Sequence, residues 1–206
     1  WALLLGMALI MLGNGLSNSL LGLHASHQGF SISATGLVMS GYYVGMIIGA
    51  KLVPVMVQRV GHIRSFGALA SLASTAILVH YLFIEPWVWW ALRFITGIAY
   101  AGLYVVAESW LNDTADNETR GQLLGFYMLI AFGCLAGGQF MLNIASPEGF
   151  KLFILISIFV SVAVIPILIS VNRAPVFETN ESVSIIQLIK VSPLGVLGTF
   201  ASGTGA

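Results

Sequence analysis

Two strongly basic side chains lie well inside apolar stretches of this sequence, where a charge needs a chemical reason. Lys51 and Arg93 each fall in a segment long enough to cross a membrane. A charge at the centre of such a helix costs about 2.5–3.5 kcal/mol on insertion scales. Chains accept this cost where the charge faces a cavity, an ionic partner or a polar solute. Both residues are therefore candidates for handling an ion or a solute within the membrane.

A polar stripe continues from Arg93 along one face of the same predicted helix. Residues at offsets 0, 4, 7, 11 and 15 share a helical face, and here they are Arg93, Gly97, Tyr100, Tyr104 and Glu108. Thr96 borders the stripe. Arg93 and Glu108 lie about 22 Å apart, too far to pair with each other. Two interpretations stay open: a polar path through the membrane, or an Arg93 that extends to one interface and a Glu108 that caps the other helix end.

Lys51 follows a set of regularly spaced glycines on the second apolar segment. Gly41, Gly45 and Gly49 recur every four residues, a spacing that lets helix backbones approach closely in lipid. Lys51 lies about 200° around the helix from Gly49 and shares its side with Tyr43, so this side is a candidate cavity wall. We expect Lys51 and Glu108 to form an ion pair, which would ease the burial of both.

The fifth segment carries a similar glycine pattern, and amides appear on two segments. Gly121, Gly125, Gly133 and Gly137 predict a second packing face. Asn14 and Asn18 on the first segment, and Gln139 on the fifth, either bond neighbouring helices or contact a solute in a cavity. His24 and His27 are too few to hold a metal ion, and no phosphate-binding loop is present. We therefore expect no metal and no cofactor.

The amino-acid composition indicates which medium surrounds this chain. It has 206 residues, of which 58% are hydrophobic and only 8% charged, whereas soluble domains carry about 25% charged residues. Lys plus Arg and Asp plus Glu number 8 each, so there is no basic surface for nucleic acid. The lipid bilayer must be the main surrounding medium.

Six apolar segments predict an all-α integral membrane protein. Their expected bounds are Ala2–Leu23, Ile32–Val57, Ser65–Ile84, Val88–Leu111, Gly121–Ala145 and Phe150–Val171. Residues 1–171 would form a six-helix bundle, 172–192 a cytoplasmic linker with a short amphipathic helix, and 193–206 the start of a seventh helix. Both ends of the chain fall in apolar sequence, so we expect a fragment of a longer protein.

The loop charges predict how the bundle is oriented. Alternate loops carry five basic residues against one, with Arg59, Arg64, Arg120, Arg173 and Lys190 on one side and Lys151 on the other. The positive-inside rule then places the N-terminus in the cytoplasm. We expect a multi-pass protein of the bacterial inner membrane.

Three stretches resemble a known family of membrane proteins. The loop from Gln58 to Arg64 resembles the signature loop of the major facilitator superfamily, with matches at Arg59, Gly61 and Arg64 and departures at Pro54 and Gln58. The stretch 93–99 resembles the family's fourth-helix motif, and 120–121 fits the start of its fifth helix. Residues 92–94, 104–109 and 120–124 are similar to the bacterial YcaD-like branch.

The resemblance implies a fold and a mechanism. Two six-helix bundles, each made of two inverted three-helix repeats, would rock around a site at mid-membrane. It implies a secondary active transporter of a small solute, with proton coupling expected and the C-terminal half as an intramolecular partner. Arg93, Glu108, Lys51, Tyr100 and Tyr104 become candidate transport or coupling residues.

The resemblance also implies a gating loop and leaves one alternative open. Arg59, Gly61, Arg64, Asp113 and Arg120 would form the gate, with either arginine near Gly61 paired to Glu108 or Asp113. The alternative is a self-contained six-helix channel or structural protein that acts as a dimer. An enzyme is not expected, because no nucleophile motif or metal-ligand set occurs.

Overall fold

The computed structural model describes residues 1–116 and 118–169, and these residues form six membrane-length spans with no strand among them. The helices are α1 (Ala2–His27), α2 (Ile32–Val60), α3 (His62–Leu82), α4 (Pro86–Thr114), α5 (Arg120–Phe140), α6 (Lys151–Val162) and α7 (Val164–Ile169). A short 3-10 turn, Met141–Ile144, extends α5, and α6 with α7 makes the sixth span. The predicted all-α bundle is confirmed. The predicted linker 172–192 and the start of a seventh helix at 193–206 lie outside the described residues.

The helix ends follow local sequence signals. The Ser31 hydroxyl accepts a hydrogen bond from the Ala34 amide at 3.1 Å and caps the start of α2. Pro86 occupies the first turn of α4, where its missing N–H is not needed. Gly61 separates α2 from α3 with a φ of 86°, a left-handed conformation that favours glycine. The candidate gating loop is therefore a single tight turn rather than an extended loop.

A glycine crossing joins α2 to α4. A Cβ atom on Gly45 would collide with the Phe94 carbonyl oxygen, and a Cβ on Gly97 would collide with the Tyr42 carbonyl oxygen. Each helix thus presses a glycine onto the backbone of the other. The predicted packing role of the α2 glycines is confirmed, because Gly41 meets the Trp90 carbonyl in the same way.

The same crossing is built again between α1 and α5. Gly15 faces the Leu135 carbonyl oxygen and Gly138 faces the Leu12 carbonyl oxygen. In both crossings each glycine lies against the residue three positions before the partner glycine. The contact of α1 with α5 therefore corresponds to the contact of α4 with α2. In the same way, the contact of α1 with the sixth span corresponds to the contact of α4 with α3. This correspondence is that of two three-helix repeats.

The glycine face predicted on the fifth segment is wrong. Gly121, Gly125 and Gly133 have open space where a Cβ would stand, and Gly137 meets only the Leu12 side chain at 3.5 Å. The close approach is made by Gly138, one position away from the expected stripe. A spacing of four residues marks a face of a helix, but it does not show which face the neighbouring helix takes.

Burial divides the bundle into central and outer helices. α1 and α4 contribute the longest sets of buried residues, whereas only Tyr127 and Gly138 are buried in α5. α5 leaves large apolar side chains exposed, among them Leu129 and Phe132. α2 does the same on the side opposite α4, where Ile47 is exposed. These two helices present wide apolar faces that the described bundle does not cover.

Candidate functional site

The Arg93 guanidinium is buried where α4 meets α1 and α2. The side chain is 3% exposed. Its Nη2 donates a hydrogen bond to the Asn18 Oδ1 atom at 3.0 Å, and its Cζ lies 4.3 Å from the centre of the Tyr42 ring. The interpretation in which Arg93 extends to an interface is therefore wrong for this structure. The charge is held inside the bundle by an amide oxygen and an aromatic face.

A chain of amides and hydroxyls leads away from Arg93 along α1. The Asn18 Nδ2 donates to the Asn14 Oδ1 at 3.3 Å. The Asn14 Nδ2 donates to the Tyr104 hydroxyl oxygen at 2.9 Å and lies 3.3 Å from that of Tyr42. Asn14 and Asn18 thus bond neighbouring helices, as one of their two interpretations expected. Polar contacts connect Arg93 to Tyr104 through two amides.

Arg93 is not neutralised by any acid among the described residues. Within the described part of the chain, no carboxylate forms an ion pair with this guanidinium, and its Nε has no hydrogen-bond partner. Burying a charge with incomplete partners is costly, so such residues usually serve a function. An uncompensated positive charge at a junction of three helices responds to any change of charge nearby.

The glycine crossing explains why Tyr42 reaches this site. Tyr42 lies one turn before Gly45 and hence on the side of α2 that faces α4. The sequence prediction placed its neighbour Tyr43 with Lys51 on a candidate cavity wall, and Tyr43 is 66% exposed. The sequence signal for Tyr42 was its position on the same helix face as Gly45. A glycine face predicts a close helix contact, so the tyrosine on that face is the one that reaches the Arg93 site.

Two other predicted residues on α4 are buried beside Arg93. Tyr100 is 3% exposed, with its ring centre 6.2 Å from that of Tyr42. The Thr96 hydroxyl donates to the Arg93 carbonyl oxygen at 3.0 Å. The Thr96 hydroxyl therefore donates its hydrogen bond within its own helix rather than into a cavity. Tyr100 forms part of the aromatic wall around the charge.

A cavity of about 240 Å³ lies between α1, α4 and α5, and Tyr104 belongs to both this cavity and the polar chain. Glu108 lines it one turn further along α4, and the Tyr127 hydroxyl donates to Glu108 Oε1 at 3.5 Å. α4 continues to Thr114, so Glu108 does not cap the helix end as the alternative interpretation required. The remaining wall is mostly apolar and comes largely from α5.

Lys51 and Gln139 are placed apart from these groups. Lys51 is exposed on α2, on the side away from the glycine crossing, as expected. The predicted ion pair between Lys51 and Glu108 is wrong for this structure, because no such pair exists among the described residues. Gln139 is exposed near the C-terminal end of α5. Residue type and approximate depth could be predicted from the sequence, but the helix face that each residue takes in the bundle could not.

The predicted gating residues gather at the end of the bundle that carries Trp1. Arg59, Arg64, Asp113 and Arg120 are all exposed there. The expected pairing of Arg59 or Arg64 with Glu108 or Asp113 is wrong, since no ion pair joins them in the described ranges. The contact between the α2–α3 turn and α4 comes instead from His62, whose Nε2 lies 3.1 Å from the Ser109 hydroxyl oxygen. Its ring also lies against Trp110.

Similarity to known proteins covers nearly the whole chain. The model of the Major Facilitator Superfamily matches residues 3–205. Over 203 residues the chain is 29% identical to "Uncharacterized MFS-type transporter YcaD" of Escherichia fergusonii, covering 98% of this chain and 53% of that relative. A relative of the same name from Escherichia coli O45:K1 matches with the same identity and coverage. The chain spans about half the length of the curated relatives it matches.

Proposed function

Since this chain belongs to the Major Facilitator Superfamily, and its relatives carry the name of MFS-type transporters, we propose that it moves a small solute across the membrane by alternating access, driven by protons. As a family member it is a multi-pass membrane protein. The relatives point to a transporter rather than an enzyme.

One observation carries the proposal: a continuous set of polar contacts runs from Arg93 to the cavity that contains Glu108. The contacts pass through Asn18, Asn14 and Tyr104 and join α4 to α1. Glu108 supplies a carboxylate to the lining of the cavity. A proton or a charged solute at Glu108 changes the field at Arg93, and the intervening amides must rearrange with it. Glu108 binds the proton or the charged solute in the cavity, and Arg93 responds to the resulting change of charge.

The exposed faces of α2 and α5 fit a second six-helix bundle. Both faces are broadly apolar. The described bundle does not cover Tyr43, Lys51 or the open side of the cavity. The matched relatives are about twice as long as this chain. In the proposed arrangement the C-terminal half covers these faces and closes the site at mid-membrane. Lys51 then faces the second bundle rather than lipid.

We place the Trp1 end in the cytoplasm of a bacterial cell, with the protein in the inner membrane. The loop charges support this orientation. The turn at Gly61 and the exposed charges Arg59, Arg64, Asp113 and Arg120 then form a cytoplasmic gate. The His62 contact with Ser109 holds the gate to α4, and it separates when that side opens.

The test uses the protein expressed from its complete reading frame and reconstituted in liposomes that enclose a pH dye. Solutes are added in groups, and an Arg93→Met variant is compared with Lys151→Gln, which removes an exposed basic residue outside the site. We expect at least one group to cause a proton flux in the native protein and in Lys151→Gln but not in Arg93→Met. Solute movement without any proton flux would contradict proton coupling. Rapid flux that never concentrates a solute would favour the channel.

A further inference from the structure

The cavity beside Glu108 has a chemistry that narrows the class of solute. Its lining contains the Glu108 carboxylate, and Arg93 does not line it. Lys51 makes no ion pair with Glu108. The charge presented to an occupant is therefore negative, unlike the Arg93 junction next to it.

The Glu108 carboxylate has spare hydrogen-bonding capacity. An ionised carboxylate accepts about four hydrogen bonds, whereas Glu108 receives one long hydrogen bond, from Tyr127 at 3.5 Å. The Glu108 side chain is exposed, and it forms no salt bridge with any described residue. It is free to accept a positively charged occupant.

The rest of the wall suits an apolar body carrying that charge. Met11 from α1 and Met128 and Phe132 from α5 line the cavity around the tyrosines. Aromatic faces attract organic cations, and thioethers adapt to irregular apolar shapes. A sugar or another polyhydroxylated solute would find few polar partners here, and an anion would meet the carboxylate.

From these features we propose that the cavity between α1, α4 and α5 binds a compact lipophilic organic cation, an amine or quaternary ammonium, with its charge at Glu108 and its apolar body against Phe132 and Met128. This inference rests on the proposed function, because it names the solute class of the same site. The cavity of about 240 Å³ accommodates a small aromatic ammonium, and its open side leaves room for a larger substituent.

The probe is benzyltrimethylammonium, whose charge is fixed and does not depend on pH. Its dissociation constant is measured by equilibrium dialysis against the full-length protein in detergent, with benzylsulfonate as a competitor of similar size and opposite charge. Glu108→Gln is compared with Glu85→Gln, which removes an exposed acid just before the first residue of the same helix. Phe132→Ala is compared with Phe140→Ala, an exposed residue of the same helix outside the cavity.

We expect Glu108→Gln to raise the dissociation constant about tenfold or more, because it removes the charge that faces the ammonium. Phe132→Ala should raise it by about fivefold through loss of the aromatic wall. Both control variants should stay near the native value, and benzylsulfonate should not compete. Native binding by Glu108→Gln, or effective competition by the sulfonate, would overturn the inference.

Failure of this inference is distinguishable from failure of the proposed function. If benzyltrimethylammonium does not bind while other solutes still drive Arg93-dependent proton flux, the solute class is wrong and the transport proposal stands. If the probe binds through Glu108 and yet no solute moves in liposomes, the binding inference stands and the transport proposal fails.

Discussion

Replacing Arg93 and its partner Asn18, singly and together, separates a functional charge from a structural one. Arg93→Met keeps a long apolar side chain and removes the charge. Asn18→Leu keeps the charge and removes the oxygen that accepts its hydrogen bond at 3.0 Å. The two changes break the same contact from opposite sides. Their effects on stability are nevertheless expected to differ.

The difference follows from what each variant leaves behind. The hydrogen bond to Asn18 contributes about 1.5–3 kcal/mol because one partner is charged. Desolvating the guanidinium costs several kcal/mol, so an apolar replacement of similar volume is close to neutral, within about 1 kcal/mol. Asn18→Leu leaves Arg93 with only the Tyr42 ring at 4.3 Å, and a buried charge stripped of its partner costs about 3–5 kcal/mol.

The assay is the free energy of unfolding, obtained by denaturant titration of the full-length protein in mixed micelles. Adding Arg93→Met to Asn18→Leu should recover most of the lost stability, with a coupling of about 2 kcal/mol between the two sites. Lys151→Gln serves as the control for loss of a basic residue. Proton flux should be absent in Arg93→Met although its fold is retained.

The opposite order of stabilities would refute this reasoning. If Arg93→Met destabilises the protein as much as Asn18→Leu, and the double variant is no more stable than either, then Arg93 is a structural pin of the bundle. If the double variant instead loses the sum of the two single losses in the free energy of unfolding, the charge of Arg93 and the amide of Asn18 do not depend on each other.

Two further predictions compare residues of the same type. Gly138→Ala should destabilise the protein by about 1–3 kcal/mol in the same titration, because a Cβ there meets the Leu12 backbone. Gly137→Ala, where a Cβ makes an ordinary contact, should be neutral or stabilising, and equal losses would contradict the crossing. Tyr104→Phe removes the hydroxyl that receives the Asn14 bond at 2.9 Å and should lower proton flux about tenfold. Tyr43→Phe should leave the flux unchanged, and a similar loss in both would disconnect Tyr104 from the polar chain.

The spans and the main polar residues could be predicted because membranes impose simple rules. Segment length and low charge locate the six helices to within a few residues, and the cost of intramembrane charge singles out Arg93. The one-face spacing on α4 groups Arg93 with Tyr104, and in the structure two amides of α1 connect these two residues. These properties depend on residues within one helix, which is what a linear pattern records.

The contacts between helices could not be predicted in the same way. Tyr42 was overlooked, and the α5 glycine stripe was chosen over Gly138, because rotation of a helix by one residue reassigns its faces. The Lys51–Glu108 pair failed for a related reason, since similar depth in the membrane does not bring two helix faces together. Crossing geometry, set by backbone contacts at the glycines, decides all three.

The most direct test of the central claim is side-specific alkylation of a cysteine placed in the cavity. Phe132→Cys is introduced with Cys134→Ala, which removes the single cysteine of this sequence. An impermeant maleimide is then applied to either side of liposomes under an imposed proton gradient. Coupled alternating access predicts that reversing the gradient shifts labelling from one side to the other, and that Arg93→Met abolishes the shift. Labelling from one side at the same rate under every gradient would contradict the account.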